Sequence, residues 1–437
     1  MIYGKQIMGK GEKMAEKWIR LDNAAKIYPA AMSRKWMPMF RLSLELDEAV
    51  DPDILRAAAS NLRPGFPSFF KRLRKGLFWP YLEDIDGEPP VLKDVANPLA
   101  RMDLDENGGF TFRIRYHNNR IAVEFFHVVT DGYGGLVFIK NLAAEYLRLK
   151  YDIEIPFTDD IMDISKEPDS GMTEDSFIRY ARDYGHTKPE SLAYHIKGTK
   201  EPDDYLKIIT GTVPVDELRE KSRSMGISIT EFIVSLLIMS ARSLQKKDSS
   251  LIMRKRPVKI SVPVNLRRFY PSKTVRNFSS YVNPGIDPRY GDYSFKETAD
   301  AVHHFMGAEV TEKMLNAKFS DNVNKEKIKA VRVLPLFIKN AVMRLYFRRG
   351  GDRTTTSTLT NLGAVSVPSP MDSYVRRFDF MLGPLSYMNV NCAAVSYKGM
   401  MNITFTRKIR ETEFERYFFT ELVEMGIKVT VESNNRY

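Results

Sequence analysis

In the run FFHVVTDGYGG (residues 125–135), a histidine closes an apolar stretch and an Asp-Gly pair follows four residues later. An imidazole with a pKa near about 6.5 can accept a proton at neutral pH, so His127 has the chemistry of a general base. A base of that kind must be held in one tautomer, and a backbone carbonyl or a neighbouring polar group usually does this. Asp131 has the chemistry of an orienting carboxylate. Four residues across a tight turn point it away from the ring, however, so the expectation is that it pairs with an arginine and locks the loop. Gly132 supplies either a φ that other residues resist or an approach for a ligand to the backbone. The structural alternative, a satisfied histidine at the edge of a core, stays open at this point.

The elements around the motif are legible. FTFRIRY (110–116) and IAVEFFH (121–127) read as a hairpin about an Asn-Asn turn. Ile121, Val123, Phe125 and His127 then share one strand face. After the Asp-Gly, Leu136, Ile139, Ala143 and Leu147 recur at helical spacing, with Lys140, Glu145 and Arg148 opposite. Further strands are expected at 39–47, 258–266 and 356–368, with another at MNITFTRKI. A helix over 51–62 is expected to start on Asp51 and Pro52 and to stop at Pro64. Ser228 with Glu231, and Thr412 with Glu415, have the spacing of capping boxes. The alternation of strands and helices gives an α/β class. The expected division is an N-terminal lobe over 1–165, a polar crossover over 166–205 and a C-terminal lobe over 206–437.

The chain has 437 residues, 43% of them hydrophobic, enough for a large core or two lobes. No run reaches the roughly 20 apolar residues that a membrane-crossing helix needs. The first residues show no secretory apolar core. One cysteine, Cys392, excludes an internal disulfide and makes a cytoplasmic location the default. It sits in a strand-like pattern and reads as a buried apolar residue rather than a nucleophile. The formal charge of +11 is scattered in short knots such as RKRPVK (254–259), NLRR (265–268) and YFRRG (346–350). No zinc finger or RNP-type motif accompanies them, so no nucleic-acid partner is expected; a phosphate-bearing small molecule is compatible with the field. There is no G-x-S-x-G, H-E-x-x-H or C-x-x-C, and the glycines at 132–135 lack the lysine of a P-loop.

FFHVVTDGYGG resembles the H-H-x-x-x-D-G motif of the chloramphenicol acetyltransferase-like superfamily, which includes condensation domains and alcohol acetyltransferases. ISVPVNLRR (260–268) is similar to the Pro-Val-Asn-Leu-Arg strand of that group, and TNLGAVSVP (360–368) to its Ser-Asn-Leu-Gly segment. The likeness runs from about Trp18 to the final helix and looks nearest to bacterial alcohol acetyltransferase-like members. Phe126 replaces the first histidine of the pair, and the plant-type Asp-Phe-Gly-Trp-Gly signature is absent; DFMLG (379–383) shares only Asp379, Phe380 and Gly383 with it. The adjacent His303 and His304 have no Asp-Gly in register and read as part of a helix.

The resemblance implies a two-lobed fold with a channel between mixed sheets. It also implies acyl transfer from a CoA or carrier-protein thioester to an alcohol or amine, with His127 as base and no covalent acyl-enzyme. Acyl-CoA would be a co-substrate, with no metal or prosthetic group. On that reading Arg267 pairs with Asp131. Thr360 and Asn361 hold substrate or the oxyanion, and Tyr133 lines the channel. A catalytically silent binding protein on the same fold is the alternative.

Overall fold

The computed structural model describes residues 18–33, 36–183, 190–202, 205–328, 333–349 and 352–434. The N-terminal stretch 1–17 and parts of the expected crossover (184–189 and 203–204) lie outside the described residues, as do the side chains of the basic knot at 346–350.

Strand β1 (Trp18–Arg20) and helix α1 (Ile27–Ala31) lead into β2 (Met39–Leu46) and α2 (Pro52–Asn61). The side chain of Asp51 caps α2, accepting from the N–H groups of Asp53 and Ile54, and Pro52 occupies its first turn. A small hairpin of β3 (Lys71–Lys75) and β4 (Pro80–Asp84) precedes β5 (Val91–Lys93). Then come the hairpin β6 (Phe112–His117)–β7 (Arg120–Phe126), helix α3 (Gly132–Tyr151) and a short α4 (Ser176–Tyr180). Asn118 takes φ 49° in the tight β6–β7 turn. The second half opens with β8 (Lys207–Pro214), α5 (Val215–Ser224) and α6 (Ile229–Lys246). It continues through β9 (Val258–Asn265), β10 (Ser279–Val282), β11 (Gly285–Ile286) and β12 (Ser357–Ala364). It ends with β13 (Val375–Leu382), β14 (Val390–Tyr397), β15 (Met400–Arg407) and β16 (Thr430–Ser433).

The strands form a five-stranded sheet in the order β13-β2-β7-β6-β5. A larger sheet runs β10-β9-β12-β14-β15-β8-β16 with β11 beside β9, and β1-β4-β3 form a small third sheet. Both large sheets mix parallel and antiparallel neighbours: β12 runs parallel to β14 and β9, and β5 parallel to β6. This is the two-lobed α/β architecture expected from the sequence. One strand crosses the expected boundary at residue 206. β13 lies in the C-terminal half, yet it pairs along its length with β2 and forms the outer strand of the first sheet. Its free edge is covered where Asn402 of β15 donates to the Phe378 carbonyl at 2.8 Å. Ala393, Val395 and Tyr397 of the second sheet also pack into the first lobe's core. The lobes are therefore interlocked.

Two local expectations are corrected. Helix α3 has no solvated polar face. Lys140 and Glu145 are buried, and each is held by a partner, Asp160 at 2.8 Å and Asn61 at 2.8 Å. The helix runs between packed layers, so the polar residues that seemed to mark an outer face are satisfied inside. The helix Glu413–Glu424 begins at Thr412 without a side-chain cap, because Glu415 turns inward to pair with Arg407 at 2.6 Å. The Ser228–Glu231 box does form at the head of α6. His303 and His304 lie in the helix Phe295–Glu309, and Cys392 is fully buried with its thiol pushed up by burial.

Candidate active site

Strand β7 ends at Phe126, which pairs with Met39 of β2. The next residue, His127, donates its backbone N–H to the Pro38 carbonyl at 3.0 Å, so the backbone under the imidazole stays tied to the sheet. The ring lies between Tyr28 of α1, 4.8 Å away and tilted by 31°, and the edge of Phe40, 5.2 Å away. Phe126 points the other way and is completely buried in a separate apolar cluster with Met39, Val128 and Ile208. A phenylalanine in place of a histidine is thus a packing residue here.

The orientation of the ring is set by residues far away in sequence. His127 Nδ1 is 2.9 Å from Asn277 Oδ1, and Asn277 Nδ2 donates to Asp22 Oδ2 at 3.1 Å. The Asp22 carboxylate can only accept, so the Asn277 amide nitrogen must face it and the amide oxygen must face the ring. His127 therefore carries its proton on Nδ1 and presents the Nε2 lone pair. Nε2 has no hydrogen-bond partner among the described residues, and His127 keeps part of its surface accessible. Asp22 is fully buried; its other oxygen accepts from the Ala25 N–H at 2.8 Å, and the Arg276 guanidinium lies 3.7 Å away. Burial lowers the His127 pKa below its ordinary value. Asp131, Asn277 and Asp22 oppose that shift without overcoming it.

Asp131 does not bond the imidazole. It caps α3 by accepting from the Gly134 N–H at 3.0 Å, and its second oxygen accepts from the Phe278 N–H at 2.8 Å and from Arg267 Nη1 at 2.9 Å. Arg267 also donates to the carbonyls of Thr274 at 2.9 Å and Arg276 at 2.6 Å. Asp131 and Arg267 together clamp the 274–278 loop, which carries Asn277. The loop lock expected from the sequence spacing is therefore also what sets the ring's orienting partner. The Tyr133 ring stacks against the Arg267 guanidinium at 4.5 Å, and burial raises its phenol pKa.

The glycine requirement of the turn falls on Gly134. A Cβ there would lie 2.0 Å from the Val275 carbonyl oxygen and 2.3 Å from the Thr130 hydroxyl. Gly132, by contrast, has no positive φ, and a Cβ on it would touch Leu362 at 3.0 Å. The conformational role expected for Gly132 is corrected accordingly. Leu362 also brings the end of β12 against the start of α3. Within β12, the Asn361 amide donates to the Thr230 hydroxyl at 3.1 Å, and its oxygen accepts from the Gly363 N–H at 2.8 Å. Asn361 therefore joins β12 to the first turn of α6 and engages one of its two amide N–H groups there. The Thr360 hydroxyl is half-buried and has no partner among the described residues. Asp379, the acid of DFMLG, lies in β13 and pairs with Arg377 at 2.8 Å.

Asn277 and Asp22 are the site residues that the sequence did not reveal. A third carboxylate borders them. Asp175 caps α4, and its pKa is pushed up to about 6, first by burial and then by the negative Asp22. A carboxylate with a raised folded-state pKa binds protons more tightly folded than unfolded, so it costs stability as pH rises from about 4 through 6. Asp175→Asn keeps a good cap and removes the charge. The variant should be more stable than the parent by about 1–2 kcal/mol above pH 7, with the gain vanishing near pH 4 in denaturant titrations. Equal stability of the two at pH 8 would contradict this placement of charge. Among the described residues, no cluster of three or more His, Cys, Asp or Glu side chains is arranged to hold a metal ion.

No family model matches the chain, and no curated protein matches it. Solved structures do share its fold. Polyketide synthase associated protein 5 from Mycobacterium tuberculosis aligns over 92% of this chain and 96% of its own, at TM-score 0.57 and 13% identity. The trichothecene 15-O-acetyltransferase from Fusarium sporotrichioides aligns over 93% and 94%, at TM-score 0.59 and 10% identity. The starter condensation domain of rhizomide synthetase, solved in complex with C8-CoA and Leu-SNAC, aligns over 94% and 95%, at TM-score 0.57 and 11% identity. The chain has the two-lobed fold common to condensation domains and chloramphenicol acetyltransferase-like proteins.

Proposed function

We propose that this fold carries an acyltransferase, with His127 Nε2 as the general base. The observation that supports it most is the Asn277 lock, which fixes the proton on Nδ1 and leaves Nε2 with its lone pair and no hydrogen-bond partner among the described residues. Solved neighbours named as an acetyltransferase and as a condensation domain in complex with C8-CoA supply the class of reaction. The donor is an acyl thioester of CoA or a carrier protein, and the acceptor is an alcohol or amine.

The chemistry needs no covalent enzyme intermediate. Nε2 takes the proton from the acceptor O–H or N–H as that atom attacks the thioester carbonyl. The negative oxygen of the tetrahedral intermediate needs donors fixed in advance; the Thr360 hydroxyl and the second amide N–H of Asn361 are the groups proposed for this work. Collapse breaks the C–S bond, and the imidazolium returns its proton to the departing thiolate. Asp131 and Arg267 act as positioning residues through the 274–278 loop. Tyr133 lines the approach. A single buried cysteine suits a reducing, cytoplasmic setting.

The pH profile of thiol release from acyl-CoA tests the role of the ring. The base works when neutral, and burial lowers the His127 pKa, so activity should persist below pH 6.5 before falling on the acid side. Asn277→Ala frees the tautomer. It should lower kcat about tenfold to a hundredfold at nearly constant KM, and it should move the acid limb lower still, because the Asn277 bond favours the charged ring. An unchanged kcat in Asn277→Ala would refute the lock, and a silent binding protein would show no turnover in either form.

A further inference from the structure

The second lobe holds a cleft that the proposed chemistry does not use. It opens between the C-terminal end of α6, the stretch 194–197 and the start of the helix Glu413–Glu424, with a volume of about 320 Å³. Leu244 in its wall stands 14 residues after Thr230 on α6, about 20 Å along the helix from the turn that Asn361 holds. The cleft and the candidate active site are therefore separate places. Its walls are tied down: the Tyr194 N–H donates to the Pro257 carbonyl at 2.8 Å, and the Arg410 N–H to the Thr199 carbonyl at 2.9 Å.

Ile196, Leu244, Ile409 and Phe414 give the cleft an apolar floor. Two polar groups are set into it. Tyr194 is 2% exposed, and its phenol has no hydrogen-bond partner among the described residues. The Asp248 side chain is 3% exposed. Its Oδ1 accepts from Lys197 Nζ at 2.9 Å and from the Ser250 N–H at 2.8 Å, while Oδ2 has no partner among the described residues. Burial first, and then the Asp248 charge, push the Tyr194 pKa up to about 12, so the phenol stays neutral and its oxygen can accept. Polar groups buried without partners cost free energy, and N–H donors on an incoming ligand satisfy them.

Charge decides the sign of that ligand. The lining sets Asp248, Glu411 and Glu413 against Lys197 and Lys247. Lys197 is already engaged by Asp248, and Lys247 is exposed at the rim. We propose that this cleft binds a small organic cation, a primary ammonium on an apolar body. Its N–H groups meet Asp248 Oδ2 and the Tyr194 oxygen, and its body covers Ile196, Ile409 and Phe414. An anion would meet three carboxylates there, and a purely apolar ligand would leave both polar groups buried and unpaired. The binding does not depend on acyl transfer.

Isothermal titration calorimetry of the full chain with phenethylammonium, 2-phenylethanol and phenylacetate tests it, since the three share a ring and differ in charge. Phenethylammonium should bind at one site per chain with a Kd at or below about 1 mM, and the other two at least about tenfold more weakly. Asp248→Asn keeps an acceptor for Lys197 and Ser250 but removes the charge; it should weaken phenethylammonium about tenfold or more. Tyr194→Phe should weaken it about threefold to tenfold with an unchanged thermal melt, because the phenol has no partner in the fold. Leu244→Trp, which fills the cleft and leaves its charges, should abolish binding. Absence of saturable phenethylammonium binding overturns the proposal. So does phenylacetate or 2-phenylethanol binding as tightly as the ammonium, or binding that Asp248→Asn and Leu244→Trp both leave intact. A lowered melt in Tyr194→Phe would make the phenol a structural group and also overturn it. Thiol release is measured separately, so loss of either activity or cation binding leaves the other readable.

Discussion

His127→Ala should lower the turnover of acyl thioester with a suitable acceptor by about a thousandfold or more, the scale set by losing a positioned general base. The fold should survive, because the ring fills a half-open position at a strand end while the apolar residues beneath it, Phe40 and Phe125, keep their own packing. Steady-state thiol release, read beside far-UV circular dichroism and a thermal melt, checks both parts. A folded His127→Ala protein with parental turnover would remove the base from the account. A folded variant whose ligand binding is unchanged, from a parent that never turns over, would favour the silent binding protein.

Asp131→Asn should produce the largest loss of stability among the site substitutions. The carboxylate and Arg267 are both almost inaccessible, with side chains 5% and 7% exposed. Removing one charge leaves the other buried, an arrangement that typically costs about 3–5 kcal/mol. The amide can still cap α3, so the helix should remain. What loosens is the 274–278 loop, which Asp131 and Arg267 hold from two sides. Denaturant titration should show the stability loss. Activity per folded molecule should fall as well, because Asn277 rides on that loop. A stability change below about 1 kcal/mol would mean that the pair does not carry the turn.

The elements that could be read from sequence are those whose signals are local. The cap of α2 at Asp51, the Asn turn of the β6–β7 hairpin and the Ser228–Glu231 box each rest on contacts within a few residues, and each is in place. The candidate base and the Asp131–Arg267 pair came from motif spacing and from a resemblance. The part that gives the ring its tautomer did not. Asn277 lies 150 residues from His127, and Asp22 lies 255 residues from Asn277, and neither sits in a pattern that marks it. The same limit explains β13, whose alternation fits a strand in either sheet until its partner β2 is known. Thr412 shows the converse: a correct capping-box spacing lost to a buried arginine, Arg407, that draws Glu415 inward. Lys140 and Glu145 misled because polar residues at helical spacing look solvated unless their tertiary partners are seen.

The most direct measurement is a crystal structure of the protein with bound CoA. The account predicts the pantetheine sulfur on the Nε2 side of His127, within hydrogen-bond reach of that nitrogen, with Nδ1 still on Asn277. CoA bound at a site remote from His127, with Nε2 facing protein, would contradict it.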